Sequence, residues 1–185
     1  MKRLFTVFTA VFCLVGCSSK NSYMDELYQF RNDLLQSKDV SFEAEITADY
    51  GKEYYIFQVA CNGDELGNLD FEVISPDTIS GIQGNISRED GFLTFDNYVL
   101  AFDTMAEDRL TPVTAPWVVL KALRTGYITS CGRKDTGYSA VIRDTYEDDY
   151  LSIDLLFQGD MPVYAEVFWN DARIISMNII NFSYV

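Results

Sequence analysis

The stretch Thr111–Gly126, TPVTAPWVVLKALRTG, decides the fold. Pro116 suits the first turn of a helix, where its missing N–H would have no acceptor and its fixed φ is already helical. Thr114 or Ala115 precedes it. Trp117, Val118, Val119, Leu120, Ala122 and Leu123 leave hardly any polar face, and a helix apolar on all sides is a buried one. Gly126 can end it. Such a helix needs an apolar surface to lie against, and the sequence on either side supplies one.

Before the helix the pattern has a period of two. In SFEAEITADY, Phe42, Ala44, Ile46 and Ala48 fall on one face, with Glu43, Glu45, Thr47 and Asp49 on the other. That alternation marks a half-buried antiparallel strand. EYYIFQVAC sets Tyr55, Phe57, Val59 and Cys61 against Tyr54, Ile56, Gln58 and Ala60. It is apolar on both faces, as for a strand between a core and a covering element. Asn62-Gly63-Asp64 is a turn signal. LGNLDFEVIS puts Leu69, Phe71 and Val73 on one face, and Ser75-Pro76-Asp77 breaks the run. TISGIQGNIS is short and punctuated by glycine, as in an irregular or edge strand. Asp90-Gly91 predicts a hairpin turn into FLTFDNYVLAF. After the helix come GYITSCGR, GYSAVIRDTY, YLSIDLLFQ, PVYAEVFW and ARIISMNIINFSYV, the last two joined at Asn170-Asp171.

Ahead of all these strands, Leu27, Phe30, Leu34 and Leu35 recur at helical spacing and predict a helix over 23–36, with Ser22 as its N-cap. The order is helix, five or six strands, buried helix, about five strands. It predicts an α+β domain: a strongly curled antiparallel sheet, or open half-barrel, with the N-terminal and mid-chain helices packed in its concave face. No loop is long enough to mark a second domain.

The first 22 residues read differently. Lys2 and Arg3 precede an apolar run from Leu4 to Val15, too short to span a bilayer, which takes about 20 apolar residues. This is the pattern of a signal peptide. Its exit, Leu14-Val15-Gly16-Cys17, resembles the bacterial lipobox, in which the cysteine sulfur receives a diacylglycerol and the chain is cut before it. The expected organisation is a lipoprotein signal peptide over 1–16, a lipidated tether over 17–22 and one domain over 23–185. More than one acyl chain is needed for firm anchoring. Cys17 would therefore hold the protein at the extracytoplasmic face of a membrane.

The chain carries 14 Lys and Arg against 28 Asp and Glu, a formal charge of −14. Without Lys2 and Arg3 the balance is 12 against 28, or −16. Such a chain repels nucleic acid and favours basic partners or cations. There is no histidine. That removes the Ser-His-Asp triad, the Cys-His pair and His-ligated zinc from consideration.

SFEAEITADY, VISPDTISGIQGNI, GFLTFDNYVL, TPVTAPWVVLKAL and MPVYAEVFWNDARIISMNIINF together resemble the LolA/LolB-like superfamily of lipoprotein carriers and envelope lipoproteins. Within it the chain is most similar in character to the clostridial germination lipoprotein (GerS-like) group, which also joins a lipobox to such a domain. The resemblance implies an open barrel around an apolar cavity that takes acyl chains or a partner's apolar segment. A tethered Cys17 does not fit a carrier that diffuses between membranes.

The expected cavity lining is Phe42, Ile46, Phe57, Phe71, Trp117, Leu120, Phe168 and Trp169, with one of the adjacent Phe168 and Trp169 facing outward. The same residues would equally make a plain packed core, since only a void separates the two. Cys61 and Cys131 either pair in a disulfide or stand as two thiols on different strands. Glu147-Asp148-Asp149 lacks EF-hand spacing and reads as a solvated turn. Glu43 and Glu45 lie about 7 Å apart along one strand face, as countless solvated pairs do. No catalytic residue, metal or cofactor is expected. The function these readings support is a non-enzymatic, membrane-anchored envelope lipoprotein that binds a lipid, an apolar ligand or a partner protein. The GerS resemblance implies the alternative of a regulatory subunit that docks and activates a cell-wall amidase of the spore cortex.

Overall fold

The computed structural model describes residues 22–87, 91–95, 98–103, 105–106 and 109–185. Leu14, Val15, Gly16 and Cys17, and Asp90 of the predicted hairpin turn, lie outside the described residues.

Helix α1 (Ser22–Gln36) leads into β1 (Asp39–Asp49), β2 (Tyr54–Asp64), β3 (Leu69–Ser75), β4 (Gln83–Ile86), β5 (Gly91–Phe95) and β6 (Tyr98–Phe102). A two-residue pair, β7 (Met105–Ala106) and β8 (Arg109–Leu110), precedes a 3-10 turn at Pro112–Thr114 and helix α2 (Ala115–Thr125). The chain closes with β9 (Tyr127–Lys134), β10 (Gly137–Arg143), β11 (Leu151–Gln158), β12 (Met161–Trp169) and β13 (Ala172–Tyr184). Eleven strands form one antiparallel sheet in the order β6-β5-β4-β3-β2-β1-β13-β12-β11-β10-β9. The two meanders therefore meet where the first and last strands pair, Ala44 opposite Ile179 and Ile46 opposite Met177.

Alternation sets the inner face. Phe42, Ala44, Ile46 and Ala48 are buried on β1, Phe57, Val59 and Cys61 on β2, and Leu69, Phe71 and Val73 on β3. Ile153, Leu155 and Phe157 of β11 and Ile175, Met177 and Ile179 of β13 continue it. Leu27, Phe30 and Leu34 of α1 and most of α2 belong to the same continuous core. Side chains of both helices thus share one core with the inner face of the sheet. Phe30 meets Phe157 edge-on at 5.3 Å, and Phe42 lies 5.4 Å from Phe182. The phase of β13 changes at Asn181, whose φ of 54° accommodates one extra residue opposite β1. Beyond that bulge Phe182 and Tyr184, rather than the odd-numbered residues, turn to the core.

The predicted turn at Asn62-Gly63-Asp64 is instead the end of β2. Gly63 is needed there for space, since a Cβ would stand 2.6 Å from Leu120 Cδ2. TISGIQGNIS likewise yields an interior strand, β4, in which a Cβ on Gly84 would lie 2.4 Å from the Phe71 ring. FLTFDNYVLAF is two strands, with Phe95 opposite Tyr98. The second apolar face of β2 is uncovered, with Tyr54 and Ile56 exposed. The hairpin at Asn170-Asp171 has φ of 49° and 61°, the two positive values that a type I′ turn requires.

Candidate functional site

The turn after β2 is built by Asp64. Its Oδ1 accepts the backbone N–H groups of Leu66 and Asn68, both at 2.9 Å, and its Oδ2 accepts Asn68 Nδ2 at 2.7 Å. Gly67, at φ 91°, takes the left-handed conformation that the turn needs. Burial alone would raise the Asp64 carboxyl. The hydrogen bonds from Asn68, Leu66 and Gly67 outweigh it and hold the group below its ordinary range.

Helix α2 clasps this turn. Trp117, Leu120, Lys121 and Arg124 follow one another at i, i+3, i+4 and i+7, which places them on one helix face. Arg124 Nη1 donates to the Asp64 carbonyl at 2.7 Å, and Trp117 Nε1 donates to the Gly67 carbonyl at 2.9 Å. The clasp leaves Leu66 81% exposed at the tip of the turn, while Leu35 at the end of α1 is 55% exposed. These groups, with Glu65 and Thr125, bound a recess of about 220 Å³. Lys121 Nζ stands 5.2 Å from the centre of the Trp117 ring, a cation–π distance.

The recess brings two cations, Lys121 and Arg124, beside Glu65 and the turn of Asp64. Arg31 of α1 reaches the end of α2, donating through Nε to Leu123 O at 2.7 Å and through Nη2 to Ala122 O at 3.1 Å. It caps the Leu123 carbonyl in the last turn and shares the Ala122 carbonyl with the Gly126 N–H, which donates to it at 2.8 Å. Burial lowers the pKa of Arg31 and of Arg124, against the opposing pull of Asp64 on the latter. Arg124 is only 8% exposed, and its Nη2 is buried with no hydrogen-bond partner. Tyr138 Oη is the other such side-chain atom among the described residues.

Of the expected cavity lining, Phe42, Ile46, Phe57, Phe71, Trp117 and Leu120 are buried in the continuous core. Phe168 follows Val167, which points inward, so Phe168 takes the other face of β12. Trp169 is half-buried against the core and borders an open recess of about 510 Å³ with Tyr50, Arg173 and Ile174. A further recess of about 440 Å³ involves Asp70, Glu72, Gln83, Asn85 and Phe92. Its polar groups satisfy one another, Asn85 donating to Asp70 at 2.7 Å and Gln83 to Glu72 at 3.1 Å.

Cys61 and Cys131 are both thiols, one buried on β2 and the other half-buried on β9, and no disulfide joins them. Glu43 accepts Gln58 Nε2 at 2.9 Å and Glu45 accepts Asn178 Nδ2 at 3.4 Å, so both carboxylates pair across strands. Glu147, Asp148 and Asp149 are exposed between β10 and β11. Among the described residues no group of three or more His, Cys, Asp or Glu could hold a metal ion. No helix among them is long and apolar enough to cross a membrane.

Sequence reading missed Leu35, Asp64, Leu66, Lys121 and Arg124 as a group. The available signal was a lone arginine inside a helix that is otherwise built to be buried.

No family model matches the chain, and no curated protein matches it. Solved structures do. An uncharacterized conserved protein from Thermus thermophilus is 8% identical at a TM-score of 0.48, over 88% of this chain and 87% of that one. A LolA superfamily protein from Nitrosomonas europaea is 7% identical, also at 0.48, over 87% of this chain and 92% of that one. The Mycobacterium tuberculosis lipoprotein LppX is 10% identical at 0.41, over 89% and 96%.

Proposed function

We propose that the protein is a membrane-anchored, non-enzymatic lipoprotein of the cell envelope that binds an acyl chain at the α2 recess. The observation that carries this is the recess itself. Trp117 and Leu120 form an apolar floor continuous with the core, and Leu35 and Leu66 stand exposed at its rim. Two large aliphatic side chains facing solvent beside such a floor gain by covering each other with an apolar ligand, at about 25 cal/mol per Å² removed from water. The anchoring half of the reading rests on Leu14-Val15-Gly16-Cys17. Native mass spectrometry of the purified chain with decanoic acid tests the binding half. A one-to-one adduct supports it, and the bare protein at ligand concentrations up to the millimolar range refutes it.

A second reading, docking of a protein partner such as a cell-wall amidase, is favoured by β6. Among the described residues this strand has only β5 beside it, and Tyr98, Val99 and Leu100 are 75%, 65% and 64% exposed. An uncharged, uncovered edge strand is a template for strand addition. Val99→Lys would charge that edge. It abolishes co-purification of an amidase if the reading holds, while decanoate binding is unchanged. Co-purification equal to wild type opposes the reading.

A further inference from the structure

The buried Nη2 of Arg124 has no acceptor, although Nη1 of the same guanidinium donates to the Asp64 carbonyl. An unpaired buried donor on a charged group is costly, and in native structures it marks a missing water, ion or ligand. Four further facts bear on what that donor would take. Arg124 borders the 220 Å³ recess together with Lys121. The Lys121 ammonium lies over the Trp117 ring. The two cations stand together on α2 in a chain whose formal charge is −14, and the carboxylate that acts on Arg124, Asp64, already has both oxygens engaged by Leu66 and Asn68. Glu65, the acid that lines the recess, is exposed on the turn.

We propose that the recess binds the anionic head, carboxylate or phosphate, of a single acyl-chain amphiphile, which accepts from Arg124 Nη2 and faces the Lys121 ammonium. This rests on the acyl-binding reading above and adds the head group. A volume of 220 Å³ falls below the roughly 300–1,000 Å³ of pockets that enclose a drug-sized ligand. It therefore takes the head and the first methylenes, and the remaining chain lies over Leu35 and Leu66. Because Nη2 is closed to solvent, the rim of the turn must part for the head to reach it. Desolvated, charge-assisted hydrogen bonds of this kind are about twice as strong as neutral ones.

The test is isothermal titration of the full chain with decanoate and with decanol at pH 7, where the acid is ionised. Wild type binds decanoate at least tenfold more tightly than decanol. Arg124→Gln removes that preference, and Lys121→Gln, at a half-buried position outside the turn's hydrogen bonds, reduces it severalfold without loss of the folded state. Equal affinity for the two ligands, or a preference that survives in the Lys121 variant and in a folded Arg124 variant, overturns the head-group assignment and leaves acyl binding standing. Binding of neither ligand overturns both. Decyl phosphate behaves as decanoate does. Association with phosphatidylglycerol vesicles, with no binding of monomeric decanoate or decyl phosphate, overturns the single-molecule site in favour of a membrane surface.

Discussion

Gly126→Ala tests whether α2 is seated as tightly as described. Gly126 has φ −69° and ψ 160°, an extended conformation open to any residue. Its glycine is required by space rather than by backbone conformation. A Cβ there would stand 2.5 Å from Ile142 Cγ2, 2.7 Å from the Ala122 carbonyl oxygen and 2.9 Å from the Arg143 carbonyl oxygen. Two of the three are backbone atoms and cannot rotate away. Overpacking of this kind costs about 1–3 kcal/mol. Alanine recovers about 0.4–1 kcal/mol by restricting the unfolded chain, so the net loss spans about 0–2.6 kcal/mol and centres at about 1.3 kcal/mol. At a urea m-value near 2 kcal/mol/M the central value lowers the midpoint by roughly 0.6 M with m unchanged. Gly132→Ala on β9 is the control. Nothing lies within 4 Å of its Cβ position and its φ is not positive, so it is neutral or stabilises by up to about 0.5 kcal/mol. A Gly126 variant as stable as wild type, or equal shifts in the two variants, would refute the packing of the α2 terminus against β10.

The Asp64 carboxyl is held low in the folded state. Its contribution is therefore complete above the unfolded value of about 3.9 and is lost as pH falls through the lower folded value. Asp64→Asn flattens the decline of the urea midpoint below about pH 4, and identical slopes in the two proteins contradict this. Burial raises both thiols, Cys61 the more deeply buried. A thiol probe applied to native protein at pH 8 reaches Cys131 first and Cys61 only on unfolding, whereas a disulfide blocks both until reduction. Cys17→Ser moves the protein from the membrane fraction to the soluble fraction and abolishes palmitate labelling. An unchanged distribution removes the anchor.

Much of the sheet was legible because burial on one face imposes a period of two wherever no bulge interrupts it. Phe42, Ala44, Ile46 and Ala48 illustrate this on β1. The mid-chain helix was legible for the opposite reason, since TPVTAPWVVLKALRTG has hardly any polar face to present to water. Asn170-Asp171 was legible because both residues tolerate positive φ. What escaped was space shared between distant elements. Gly63 and Gly84 look like turn formers in one dimension, yet they serve Leu120 and Phe71, side chains from other elements. The recess escaped for the same reason. Arg124 and Asp64 are sixty residues apart, and the hydrogen bond joining them exists only after α2 has docked. Leu35 fitted the helical spacing of α1 and was counted with its apolar face, but the core ends at Leu34.

The chain has two tryptophans, Trp117 in the recess and Trp169 beside the β12–β13 hairpin. Fluorescence quenching by a brominated fatty acid therefore locates the acyl chain directly. In Trp169→Phe, emission from Trp117 is quenched in a saturable titration, and in Trp117→Phe, emission from Trp169 is unaffected. Quenching confined to Trp169, or none in either protein, would contradict acyl binding at the α2 recess.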